Sequence, residues 1–498
     1  MKKSLALLLS ASIAFGSVPV ALAAQTSFQV TTDVKAQTAL AQSYTDIVAM
    51  FTVAEGATVD LQAVKAKYVS DFQADVKVVN AEIDTLITQS LDLAIEGKLS
   101  IGQAKQAVDK GLQWYFYNKI NGLLRPTALE AVKKGDKAAA TAALDQAIEL
   151  YASVLEPTAQ KRDNYYKDSG YGIMTVDTLK TAVQGLRQAV EAGDALEFGV
   201  YRQMFDKTLI KVFHLASLKY AKTAPTAEDA QAKVEMTEGF FFFAPIYNSL
   251  SAGSKEGADA IRAAFGSGDK TKLSEAAIKQ HYAAAFNGKI AGYATRVLTD
   301  ELPNDKYEAA VEHAMEGNMF LAAEEVLIKE KLGADAYNEA VAHAQQYLEA
   351  VRNKDAAAAN THVVAYLKIV AQLDGVVLKI GDAQLTVDGV AKTVDAASYV
   401  NPETNRTLVP TRFIAEALGA TVNFDDATQV VTIVKGGSTV QLKLGSDAVT
   451  LNGEVAADKK LDQTVVVANG RSFIPLRAVA ELFGSNVFYS NGEVVITE

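Results

Sequence analysis

The stretch that decides the reading is "RTLVPTRFIAEALGATVNFDD", Arg406–Asp426, because it returns from Arg471 as "RSFIPLRAVAELFGSNVFYSN". Thr407–Val409 has the β-branched texture of a short strand, and Pro410 suits the first turn of a helix that follows it. Phe413, Ile414, Ala417 and Leu418 fall on one helical face, and Gly419 stands where a helix ends in the left-handed conformation. "TVNF" and "QVVTIV" around the turn "DDAT" predict a hairpin. The second copy keeps each part: Pro475 for Pro410, Gly484 for Gly419, and Val479, Leu482 and Phe483 on the apolar face. Upstream, "LKIGDAQLTVDG" (378–389) returns as "LKLGSDAVTLNG" (442–453). The unit is therefore β-hairpin, strand, helix, β-hairpin, written twice over about 376–435 and 441–498.

Arg412 and Glu416 recur as Arg477 and Glu481. At i,i+4 on a helix they read as an ion pair at its start rather than as a reactive pair. The unit contains no His, no Cys and no nucleophile beside a base. Its repetition argues for a building unit.

The chain has 498 residues, 49% apolar and 21% charged, enough for two or three packed domains. Its net charge of −11 disfavours nucleic acid as a partner. Met1-Lys2-Lys3, an apolar run from Leu5 to Val20 and small residues at Ala21, Ala23 and Ala24 read as a secretory signal, residues 1–24. No later stretch predicts a membrane span. With no cysteine, disulfides and thiolate metal sites are excluded. The expected localisation is extracellular or cell-wall-associated.

Between about 30 and 372 the texture is helical, rich in Ala, Leu, Glu, Lys and Gln, with apolar residues at three and four. A punctuation recurs: "KKGDKAA" near 134, "EAGDAL" near 192, "GSGDKT" near 267 and "RNKDAA" near 353. Each reads as a helix end, Gly or a polar equivalent, then an Asp N-cap. The aromatic segments from Val108 and Val234 align at one offset, so the region is read as an all-α bundle carrying an internal duplication. Trp114–Tyr117 and Phe240–Phe243 predict centrally buried helices, with a pocket lined by Trp114, Tyr115 and Tyr117, and a mouth at 164–174, as the functional alternative. The architecture expected is thus multidomain: a helical bundle, then a small α+β domain of two repeats.

The repeated motif resembles the copper amine oxidase N-terminal-domain repeat, common in secreted and surface proteins of spore-forming Gram-positive bacteria. Ala478 and Phe483 depart from its pattern. In the oxidases this region is a non-catalytic stalk, so the resemblance implies an accessory or attachment module and no amine oxidase activity. In the helical half, His313 and Glu316 stand at i,i+3 in "EHAMEG", and Glu235 and Glu238 share that spacing in "VEMTEG". Such pairs build transition-metal sites in bundles. The H-x-x-E also resembles the motif of imelysin-like exported proteins, with Val311 where their Gly stands. Two functions follow. The first is a non-enzymatic envelope protein without cofactor, whose helical domain binds a ligand or partner and whose repeats contact a cell-wall polymer or another surface protein. The second is an exported helical bundle that binds iron or copper for uptake.

Overall fold

The computed structural model describes residues 28–54 and 57–497; the segment read as a signal peptide lies outside the described residues. Helices fill Lys35–Val370, and strands take over at Val376. The expected helix punctuation is realised as chemistry. Gly135 (φ 72°) and Gly193 (φ 66°) are left-handed, and Asp136 and Asp194 next to them accept from the backbone N–H of Ala139 and Glu197. At the polar variant, Lys354 itself turns left-handed (φ 56°), and Asp355 caps Ala358.

By packing, the chain forms two compact units. The first is the described residues up to Ala285 with Val311–Val326; the second is Phe286–Ala310 with the residues from Leu327. In the first unit the longest helix is Ala195–Thr223, buried on nearly every side. Such a helix has no solvent face for its charges, so Arg202, Asp206, Lys207 and Lys211 must find partners inside. The aromatic runs are core: Tyr115, Phe116 and Phe243 are fully buried, and the Tyr115 hydroxyl is bonded to Asp75.

In the second unit, the helices Ala334–Arg352 and Ala356–Val370 precede the β-rich region. The composition change near 372 marks where helix gives way to strand, while packing groups this last helical hairpin with the strands. Lys368 Nζ lies 2.6 and 2.7 Å from the Glu493 carboxylate oxygens, and Asn360 Nδ2 donates to Tyr489 O at 2.8 Å.

The first copy supplies β1 (Val376–Lys379), β2 (Gln384–Val387), β3 (Val390–Thr393), β4 (Tyr399–Asn401), β5 (Arg406–Pro410), the helix Thr411–Ala417, β6 (Thr421–Asp425) and β7 (Val430–Lys435). The second supplies β8 (Ser438–Lys443), β9 (Ala448–Leu451), β10 (Glu454–Lys460), β11 (Val466–Ala468), β12 (Arg471–Pro475), the helix Leu476–Leu482, β13 (Asn486–Ser490) and β14 (Glu493–Thr497). Both helices follow a proline that ends a strand, and both stop at a left-handed glycine, Gly419 (φ 74°) and Gly484 (φ 80°). They are short, so the buried face is Ile414, Ala415 and Leu418 in one and Leu476, Val479 and Ala480 in the other. Phe413, Ala417, Leu482 and Phe483, expected on that face, are partly buried against the same core.

The copies exchange strands. The sheets run β13-β14-β1-β2-β3, β10-β9-β8-β7-β6 and β11-β12-β5-β4. The opening strands of each copy thus extend the closing hairpin of the other: Val376 faces Ile496 across β1–β14, and Val440 faces Ile433 across β8–β7. In the middle sheet β5 meets β12 antiparallel, with Val409 opposite Ile474. Two reciprocal ion pairs tie the copies, Arg406 to Asp462 and Arg471 to Asp395. Val376, Ile433, Val440, Ile474, Val479 and Ile496 belong to one apolar cluster drawn from both copies.

Candidate functional sites

The buried charges of the Ala195–Thr223 helix form one compensated cluster. Lys207 Nζ lies 2.6 Å from Asp206 Oδ2 and 3.0 Å from Glu316 Oε1. Asp206 Oδ1 accepts from the Tyr117 hydroxyl at 2.7 Å and from Asn121 Nδ2 at 3.0 Å. Gln203 Nε2 donates to Glu316 Oε2 at 2.9 Å and to Glu312 Oε1 at 3.0 Å. Arg202 pairs with Glu312, and Lys211 with Glu325. Burial alone would raise the Asp206 pKa, but the Lys207 ammonium holds it below the usual carboxylate range. Burial opposes the charge on Lys207, yet Asp206 and Glu316 together raise its pKa above that of an ordinary lysine. An amine held protonated in this way is no nucleophile or base. The arrangement satisfies each buried charge with an opposite charge or a hydrogen bond.

The cluster is built a second time. Lys110 Nζ lies 2.8 Å from Asp109 Oδ2 and 3.6 Å from Glu238 Oε1. Asp109 Oδ1 accepts from the Tyr44 hydroxyl at 2.5 Å and from Gln113 Nε2 at 2.9 Å. Lys110 sits 5.2 Å from the centre of the Phe242 ring, as Lys207 sits 5.4 Å from that of Phe320. The shared pattern is Asp-Lys on one helix against Glu-Gly-x-x-Phe on another: Asp109-Lys110 with Glu238 to Phe242, and Asp206-Lys207 with Glu316 to Phe320. The pattern recurs, but its two elements repeat at different spacings, and neither is the spacing that the aromatic runs suggest.

This placement bears on the four metal candidates. Glu316 belongs to one cluster and Glu238 to the other, each beside a lysine ammonium. Glu235 accepts from Thr223 Oγ1 and, at 3.1 Å, from Gln231 Nε2. His313 is half-buried on the helix Tyr307–Ala323. A divalent ion at Glu316 or Glu238 would have to displace a lysine. Among the described residues, no three or more His, Cys, Asp or Glu side chains are grouped so as to hold a metal.

One corner of the first unit is not compensated. Arg162 is 6% exposed, and its Nε and Nη1 find no acceptor among the described residues. Tyr165, one turn further along the same helix, lies under the Lys219 ammonium at 5.8 Å, and Tyr220 lies under it at 4.6 Å. Burial, and then the charge of Arg162, push the Lys219 pKa down, while Glu238 and Glu235 pull it back. Two guanidinium nitrogens without an acceptor beside a destabilised ammonium would favour an oxyanion there. Within the segment 164–174, read as a mouth, the Tyr166 and Tyr171 rings lie 6.4 Å apart, and the Tyr166 hydroxyl donates to Leu215 O at 3.1 Å. Arg162 itself carried no signal in the sequence, since a lone arginine among polar residues looks like surface. Arg162→Met is expected to leave the fold intact and to raise its stability by about 1–3 kcal/mol in denaturant titration without added anion, because an unpaired buried charge is removed.

In the β-rich region, Arg412, Glu416, Arg477 and Glu481 are all exposed. Arg477 lies 3.9 Å from Glu481, at i,i+4, whereas Arg412 makes no ion pair among the described residues. Arg412 and Glu416 border an open cleft of about 670 Å³, with Asp395 and Arg471 opposite. Pro410, Gly419, Pro475 and Gly484 shape strand ends and helix ends.

The comparisons bear on the β-rich region alone. Residues 386–497 match the family model of the copper amine oxidase N-terminal domain, so the carboxy-terminal region is similar to a non-catalytic domain of that class. No curated protein and no solved structure matches the chain.

Proposed function

We propose that this is an exported, non-enzymatic binding protein of the cell envelope. The β-rich repeats act as a stalk that contacts wall polymer or another surface protein, and the helical unit carries the ligand, with Arg162 and Lys219 meeting its anionic group. The observation that carries the reading is the similarity of residues 386–497 to a non-catalytic domain, in a region whose recurring Arg and Glu side chains are exposed and whose two copies share one apolar core cluster. The test is photo-crosslinking of the full chain to purified Gram-positive cell wall, with adducts mapped by mass spectrometry. Adducts concentrated at 376–497 are expected. Adducts confined to the helical unit, or none, remove the stalk role.

A further inference from the structure

We propose that His343 and His362 form a two-imidazole site for a divalent transition metal ion of the zinc or copper type. The two residues stand on the helices Ala334–Arg352 and Ala356–Val370, which are joined by a tight connection that Asp355 caps. Their Nδ1 atoms face each other at 3.2 Å, with ring centres 5.5 Å apart and ring planes 33° apart. Two nitrogens bound to one tetrahedral ion at about 2.0–2.1 Å are separated by roughly 3.3 Å, and by roughly 2.9 Å in a square-planar cis arrangement. The observed separation lies between these values, so an ion can bridge the pair with little rearrangement of either helix.

The proton balance is simple. In the metal-free pair one Nδ1–H donates to the other Nδ1. On binding, that proton moves to the Nε2 of its own ring, and both Nδ1 lone pairs turn to the ion. Burial, and then the neighbouring His343, lower the pKa of His362. Both residues are half-buried, so the ion is reached from solvent. No third His, Cys, Asp or Glu joins them among the described residues, and water fills the remaining positions. This site is separate from the wall-contacting role and stands or falls without it.

The test uses the full chain stripped with EDTA. Isothermal titration with Zn²⁺ and Cu²⁺ is expected to show one ion per chain, weakened at least about tenfold in His343→Ala and in His362→Ala and unchanged in His313→Ala. Cu²⁺ paramagnetic resonance is expected to show coupling to two nitrogens in the parent and one in each single variant. Circular dichroism checks the hairpin, and His343→Gln serves as the second variant if alanine disturbs it. Absence of binding in the parent, binding unchanged in the His343 variants, or loss on His313→Ala overturns the proposal.

Discussion

Lys207→Met is expected to destabilise the helical unit by about 3–5 kcal/mol, since it removes the ammonium that the buried Asp206 and Glu316 carboxylates share. Methionine keeps most of the volume of the stem, so the loss is electrostatic and not a cavity. The sign can be checked within the same cluster. Adding Asp206→Asn and Glu316→Gln to Lys207→Met removes both stranded charges and is expected to recover much of the deficit, because amides cost far less to bury. Urea denaturation followed by circular dichroism reads both effects. A single variant within about 0.5 kcal/mol of the parent would mean that water compensates the carboxylates and that the cluster is not dry.

The second large effect concerns acid. His214 is fully buried, its Nδ1 is 3.2 Å from Ala323 O, and its ring centre is 4.3 Å from that of Tyr282. Burial lowers its pKa from 6.5 to about 3; the bond to Ala323 opposes this, and Lys211 adds to it. The unfolded chain therefore takes up a proton near pH 6.5 that the folded chain refuses until about pH 3. A depressed folded pKa contributes stability above 6.5 that fades as pH falls towards 3. Between pH 7 and pH 5 the expected loss is about 2 kcal/mol. This window lies above the range where Asp109 and Asp206, also depressed, begin to titrate. His214→Phe keeps the packing against Tyr282 and is expected to flatten the slope between pH 5 and 7. A parent protein equally stable at both pH values would contradict the burial of a neutral ring.

Much of the β-rich region was legible because its residues have few alternatives. Pro410 and Pro475 end their strands, Gly419 and Gly484 occupy left-handed ends, and the alternating burial in β7 admits one register. The strands β3, β4, β10 and β11 were missed; β3 and β10 are almost wholly exposed, and β4 and β11 are three residues long, with sequences such as "VAKT" and "YVN" that lack an apolar face. The exchange of strands between copies was invisible, because two copies with the same strand pattern offer comparable partners within a copy and across copies. Helix ends were readable from Gly-Asp punctuation.

The sites were read less well, for a physical reason. Spacing along one helix singled out Glu316 and Glu238, but their chemistry is set by Lys207 and Lys110 on other helices. His343 and His362 are 19 residues apart on different helices, a separation that carries no periodic signal. The duplicated Asp-Lys and Glu-Gly-x-x-Phe elements were present in the letters, yet the aromatic runs around them matched at a different offset and drew the alignment away.

The pairing of β1 with β14 has a consequence for synthesis. When Val376 leaves the ribosome, the strand that will sit beside it, ending at Thr497, has not been made. Until then the edge of β1 stays open, a template for any extended segment nearby, including the same strand of a neighbouring nascent chain. Emergence of β14 is thus the event that seals the region, and ribosome-bound chains stopped at residue 480 should be protease-sensitive from 376 onward while chains that present residues 481–497 resist.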